Sequence, residues 1–124
     1  MGHTVPVDYQ TRSFVFACEI VRFYRRISAH TEIPPPIARQ LLRAGCSVGA
    51  NLQEAQSAQS RRDLVSKFSI ALKEARETQY WLRLLVATDL VKAESIADLQ
   101  REATELVAIL TTSVKRLKQP PHGV

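Results

Sequence analysis

Long apolar runs are missing from this chain. No uninterrupted stretch approaches the roughly 20 residues needed to cross a bilayer, so no membrane partner is expected. Glycine is scarce, at four residues, and three of the six prolines sit together as Pro34-Pro35-Pro36. So few turn residues leave room for long helices and short connections. Only two cysteines occur, Cys18 and Cys46. Both fall within helical patterns and read as small apolar groups, since a disulfide is unusual in a reducing compartment. The three histidines, His3, His30 and His122, pair with no cysteine or carboxylate at metal-ligand spacing, so no metal site is expected. No Ser-His-Asp or Cys-His arrangement, phosphate-cradling glycine loop, HExxH or CxxC is present. The opening MGHTVPVDYQ lacks the basic-then-apolar order of a signal peptide. The expectation is a cytoplasmic protein that is not an enzyme, with no cofactor and no small-molecule substrate.

What is present is helical pattern. Apolar residues make up 45% of the chain and charged residues 23%, ordinary for one soluble globular domain of 124 residues. The most informative stretch is ARQLLRAGCSVGANLQEAQ, residues 38–56. At helical spacing Ile37, Leu41, Val48, Leu52 and Ala55 form one apolar stripe. Beside it Arg43, Ser47, Asn51 and Glu54 form a polar row unlike the Lys/Glu surface of a solvated helix. Gly45 and Gly49, four residues apart, mark a face where another backbone comes close. The competing reading is simple tolerance of a weak position. Polar groups held at such a contact need partners.

Three further helices are predicted around it. The first, from about Gln10 to Ser28, carries two apolar seams: Phe14, Ala17, Val21 and Tyr24, and then Phe16, Ile20, Phe23 and Ile27. Two seams exceed what one packed face requires, so this helix is either central to the monomer or shared with a neighbouring subunit. The central helix runs from about Pro36, since proline suits a first helical turn. Ser60 with Asp63 forms a capping signal for a third helix from Arg61 to about Thr88. Its stripe is Leu64, Phe68, Ala71, Ala75, Leu82 and Leu85, widened near its end by Tyr80, Trp81 and Leu84. Ser95 with Asp98 signals a fourth helix to about Lys118 through Ile96, Leu99, Ala103, Leu106, Leu110, Val114 and Leu117. Residues 1–9 and 119–124 read as tails flanking a domain of residues 10–118.

Two segments carry a resemblance. QLLRAGCSVGANLQEA, residues 40–55, and SKFSIALKEARETQYWLRLL, residues 66–85, are similar to the small bacterial four-helix-bundle family that includes proteins encoded in 23S rRNA intervening sequences. The first family motif reads approximately Gln-Leu-x-Arg-(Ala/Ser)-x-x-Ser-(Ile/Val)-x-(Ala/Gly)-Asn-x-x-Glu. Gln40, Arg43, Ser47, Val48, Ala50, Asn51 and Glu54 fit it, while Ala55 stands where many members have glycine. Ile70, Ala71, Glu74, Thr78, Tyr80, Trp81 and Leu82 match the second. The resemblance spans about Ser13 to Lys118. It implies an all-α, antiparallel up-down four-helix bundle that assembles as a ring-shaped homo-oligomer, most often described as a pentamer. The accessory proteins of diversity-generating retroelements look like relatives, and that likeness implies binding to nucleic acid and a reverse transcriptase. The rRNA-encoded members have no assigned biochemical role. Family membership therefore implies the fold far more than the function.

Charge supplies the remaining expectation. The net charge is +5, which a five-fold ring would multiply to about +25, a large field for polyanions. The candidate nucleic-acid-binding residues are Arg22, Arg25, Arg26, Lys115, Arg116 and Lys118, alongside Arg61, Arg62 and Lys67. For any one of them the alternative is a solubilising surface charge. No aromatic–basic stacking platform accompanies them, so binding to RNA or DNA is expected through the backbone rather than the bases. The second functional reading is an oligomeric scaffold with a protein partner and no polyanion contact. Arg43, Ser47, Asn51, Glu54, Glu74 and Thr78 are expected to form a structural polar motif. Glu54 and Glu74 could instead face each other as a carboxylate pair, although pairing with bundle cations is the favoured account.

Overall fold

The computed structural model describes residues 8–30 and 32–120, and every regular element among them is helical. α1 is Tyr9–Ser28, α2 Pro35–Ala55, α3 Arg61–Ala87 and α4 Ala97–Lys118, with a 3-10 turn at Ala93–Ile96 leading into α4. Short connections make successive helices antiparallel. The register shows it directly. Gly45 meets Ile20 while Gly49 meets Ser13, and Arg43 meets Glu74 while Glu54 meets Lys67. α1 packs mainly on α2, α2 on α3 and α3 on α4. Contact between α1 and α4 is sparser.

Helix boundaries follow from caps where local chemistry decides them. The Asp8 carboxylate accepts from the Thr11 N–H at 3.0 Å, so α1 starts at Tyr9. The tail predicted for residues 1–9 is thus corrected at its end. Asp8 is an N-cap, and the Tyr9 ring packs edge-on to Phe68 with centroids 5.2 Å apart. The other residues of the predicted tails, 1–7 and 121–124, lie outside the described residues. Ser60 caps α3 as expected, accepting from Asp63 N–H at 3.0 Å, and Asp63 reaches back to the Gln59 N–H at 3.2 Å. The α3 end is a Schellman motif: the N–H of Leu90 bonds the Leu85 carbonyl and that of Asp89 bonds Val86. Asp89 takes φ 61° where glycine is usual.

The Ser95–Asp98 cap does not form. Ser95 Oγ donates to the Lys92 carbonyl at 2.7 Å, and α4 begins at Ala97 with no side-chain cap. Ile96 is almost completely buried. Burying that side chain fixes the turn, and capping propensity yields to it.

The core has two clusters, one at each half of the bundle. Phe16, Ile20, Phe23, Leu41, Leu82, Leu85 and Leu106 belong to the first. Val48, Leu52, Phe68, Leu72, Leu110 and Val114 belong to the second. α2 contributes to both and is buried along Ala38, Leu41, Ala44, Gly45, Val48, Leu52 and Ala55. Ile37, expected in that stripe, is only half-buried. A Cβ on Gly45 would lie 2.8 Å from Ile20 Cγ1 and one on Gly49 3.2 Å from the Ser13 carbonyl oxygen. Both glycines are therefore where α1 and α2 approach closely, as their spacing predicts.

α1 resolves the question of its two seams. Phe16, Ile20, Phe23 and Ile27 face the core together with Ser13. Of the other seam, Phe14 and Val21 point outward, 68% and 40% exposed, while Tyr24 packs against the core. α1 is peripheral, and the Phe14–Val21 part of its second seam is left uncovered by this chain.

Candidate nucleic-acid interface and the α2–α3 polar face

Helix direction sorts the nine candidate cations into separate groups. Arg22, Arg25 and Arg26 occupy the last two turns of α1. That end also carries the α1–α2 connection, and the hollow beside Arg26 is lined by His30, Ile33, Leu90 and Val91. Arg22 pairs with Glu19 one turn earlier on the same helix, and the Arg26 guanidinium lies 5.6 Å from the Phe23 ring centroid. Arg61 and Arg62 open α3 at the opposite end, about 40 Å away along a 27-residue helix.

Arg61 reaches the Gln119 carbonyl with Nη2 at 3.4 Å. That contact brings the start of α3 beside the end of α4, where Lys115, Arg116 and Lys118 lie exposed. Among the described residues none of Arg61, Arg62, Lys115, Arg116 or Lys118 is in an ion pair. The N-terminus of α3 adds its partial positive charge to the same end. Lys67, two turns into α3, is committed differently: its Nζ donates to Glu54 Oε1 at 2.7 Å. That contact raises its pKa above the usual lysine value. The structure thus gathers five of the nine candidates, isolates three at the other end, and ties one to a carboxylate.

The predicted polar motif lies on the face shared by α2 and α3. Arg43 Nη1 donates to Glu74 Oε1 at 3.1 Å, its Nη2 to Glu77 Oε2, and its Nε to Gln40 Oε1 at 3.0 Å. Glu77 Oε2 also accepts from Trp81 Nε1 at 2.9 Å. The Trp81 hydrogen bond, and then Arg43, hold the Glu77 carboxyl below the ordinary glutamate range. Glu77 holds the Arg43 guanidinium more firmly protonated in return. Trp81 is edge-on to Tyr80, centroids 5.0 Å apart, and Tyr80 is 53% exposed.

The structure supplies the partners this motif needs, and it follows the favoured account of the two glutamates. Ser47, Asn51 and Thr78 find their partners one turn back on their own helices, not across the interface. Ser47 Oγ donates to the Arg43 carbonyl at 2.7 Å, Asn51 Nδ2 to Ser47 at 2.8 Å, and Thr78 Oγ1 to Glu74 at 2.8 Å. Small side chains can bond the i−4 carbonyl without leaving the helix. Glu54 and Glu74 do not form a carboxylate pair. They engage Lys67 and Arg43 respectively, and the α2 members of those two pairs are about 16 Å apart along the axis. Among the described residues no group of three or more His, Cys, Asp or Glu is placed to hold a metal.

Sequence reading missed Glu77 and Arg12. Glu77 had a legible signal, being three residues after Glu74 and four before Trp81. Arg12 forks onto Glu102, with Nε and Nη2 at 3.0 and 2.7 Å, and reaches Glu105 at 2.7 Å. Its partners are some 90 residues away in sequence, and only the folded bundle brings them together.

This is an antiparallel helical bundle whose α2–α3 polar face is occupied by ion pairs and which gathers five of its nine candidate cations at one end. Its sequence matches the family described as 23S rRNA-intervening sequence protein over residues 7–112, and the chain belongs to that family. Four solved chains match it. One is the crystal structure of a protein of unknown function from the S23 ribosomal protein family of Bacteroides thetaiotaomicron VPI-5482. It is 38% identical, superposes with a TM-score of 0.81, and the alignment covers 86% of this chain and 98% of that one. No curated protein matches the chain. Among the described residues no helix is long and apolar enough to cross a membrane.

Proposed function

We propose that this chain is a cytoplasmic, non-enzymatic, homo-oligomeric adaptor that binds the nucleic-acid backbone, or a partner already on nucleic acid such as a reverse transcriptase. The observation that carries the reading is the convergence of Arg61, Arg62, Lys115, Arg116 and Lys118 at one end of the bundle, with no carboxylate engaging them among the described residues. Unpaired cations at a helix N-terminus suit phosphate oxygens. Repeating that end around a ring, pentameric by family resemblance, multiplies its field. The uncovered seam of α1 supports self-association, because an exposed contiguous apolar strip marks an interaction surface.

A second reading, an oligomeric scaffold for a protein partner alone, is favoured by Tyr80. It is an exposed aromatic braced against Trp81, the kind of residue that anchors protein interfaces.

Anisotropy of a labelled single-stranded RNA, measured from low to high salt, separates the two. The adaptor reading expects affinity that falls steeply with salt, and a loss of at least tenfold for Lys115→Glu/Arg116→Glu/Lys118→Glu at low salt. Absence of RNA binding at low salt, or an affinity that ignores both salt and the triple substitution, moves the assignment to the protein scaffold.

A further inference from the structure

The outward face of α3 carries a row of cations that the rest of the bundle leaves unpartnered. Arg62, Lys73, Arg76 and Arg83 are exposed there, with Tyr80 between the last two. At about 100° per residue these five positions fall within about 80° of one another around the axis, and they extend along about 30 Å of it. Among the described residues none of the four cations is in an ion pair. Arg62 belongs to the five-cation end of the bundle, so the row continues that end along the side of α3.

The flanks explain why the row stays unpartnered. Toward α2, Glu74 and Glu77 are bonded to Arg43, and Glu77 also to Trp81. Asp63 is bonded to the Gln59 N–H. Toward α4, the groove beside Arg83 is lined by Gln79, Gln100, Arg101, Thr104 and Glu105, and Glu105 is taken by Arg12. Each of these carboxylates is already bonded elsewhere, and Lys73 adds only a smaller pull on Glu77.

Tyr80 is the aromatic of the row. It is 53% exposed, and Trp81, itself anchored to Glu77, packs edge-on against it. Only Arg62 of this row is among the cations predicted from sequence. Helical phase places Tyr80 with Arg76 and Arg83, while Trp81 turns toward the core.

We infer that the outward face of α3 is a binding track for single-stranded nucleic acid, with phosphates along Lys73, Arg76 and Arg83 and an unpaired base stacked on Tyr80. The unpaired cations select a polyanion. The exposed ring selects a single strand over a duplex, whose bases are already stacked on one another. Every base has a face to stack, so the track does not choose a sequence. The track rests on the nucleic-acid reading above, to which it adds a strand type and a place.

Anisotropy at low salt tests it with two labelled strands of equal length, oligothymidine and an abasic strand. The substituted positions are exposed, and circular dichroism checks that helicity is kept. The wild type should prefer oligothymidine by at least about fivefold, the low end of base–aromatic stacking. Tyr80→Ala should lose that preference and bind the abasic strand as the wild type does, whereas Tyr80→Phe keeps the ring and the preference. Arg76→Glu/Arg83→Glu should weaken both strands by at least about tenfold. Tyr80→Ala that binds oligothymidine as tightly as the wild type, or weakens both strands equally, overturns the stacked base and with it the track. Binding kept by Arg76→Glu/Arg83→Glu but lost by Lys115→Glu/Arg116→Glu/Lys118→Glu overturns the track and leaves the basic end as the site. Polyglutamate bound as tightly as oligothymidine, and weakened by the same substitutions, overturns the track in favour of an acidic protein partner. A wild type that binds neither strand overturns the nucleic-acid reading itself.

Discussion

Gly45 of α2 faces Ile20 of α1 so closely that a methyl group on the glycine would lie 2.8 Å from both Cγ1 and Cγ2 of the isoleucine. Ile20 has no exposed surface and, being β-branched, few rotamers to move into. Alanine at position 45 would gain about 1 kcal/mol of helix propensity, but overpacking a full core costs about 1–3 kcal/mol. The expected outcome for Gly45→Ala is a net loss of up to about 2 kcal/mol, from these two magnitudes. It is read as a lower urea midpoint with an unchanged slope. Adding Ile20→Ala should give less than the sum of the two single losses, because the smaller side chain relieves the clash. A midpoint that rises in Gly45→Ala would contradict the close crossing.

Arg12 is the main polar tie between α1 and α4. Its side chain is 31% exposed and bonded by both Nε and Nη2 to Glu102, with Glu105 also on Nη2. A forked, partly buried pair is worth more than the typical surface bridge, though solvent still screens it. Arg12→Met keeps the aliphatic stem and should cost about 1 kcal/mol. The loss should shrink as salt is raised. Denaturation of wild type and variant at low and high salt measures it, and a loss that does not shrink with salt would mean that screened charge attraction is not what the fork contributes.

Glu77 links stability to pH. Trp81 first and Arg43 second lower its carboxyl pKa in the folded protein, with Lys73 adding a smaller pull. A carboxylate whose folded pKa is depressed stabilises the protein above its unfolded pKa, about 4.3. That contribution is lost as pH falls through the folded value. Glu77→Gln should therefore be less stable than the wild type at neutral pH, and the two melting temperatures should converge as pH falls through the folded carboxyl's lowered value. Trp81, the only tryptophan, reports the change by fluorescence. A gap that stays constant down to low pH would mean the Glu77 contacts contribute through shape alone.

Much of the bundle was legible because its signals are local. The period of Leu41, Val48 and Leu52, the Ser60 cap and the four-residue spacing of Gly45 and Gly49 each act within a few turns of chain, and each recurs in the structure. The Ser95 cap failed where a long-range demand, the burial of Ile96, opposed it. The polar row was recognised as unusual, while the partners of Ser47, Asn51 and Thr78 were left open. Hydroxyls and amides can bond within a helix as readily as across it, and only packing decides. Arg43 with Glu74 was within reach of pattern. Arg12 with Glu102 and Glu105 was not.

By itself the sequence determined four helices, their apolar stripes, their family and the excess of cations, since periodicity, capping and composition are properties of neighbouring residues. Only the tertiary structure decided that five cations meet at one end while three stand at the other. It also decided that Lys67 is spent on Glu54 and that α1 keeps part of one seam uncovered. Those facts depend on helix direction and crossing, which bring together side chains that no local pattern relates.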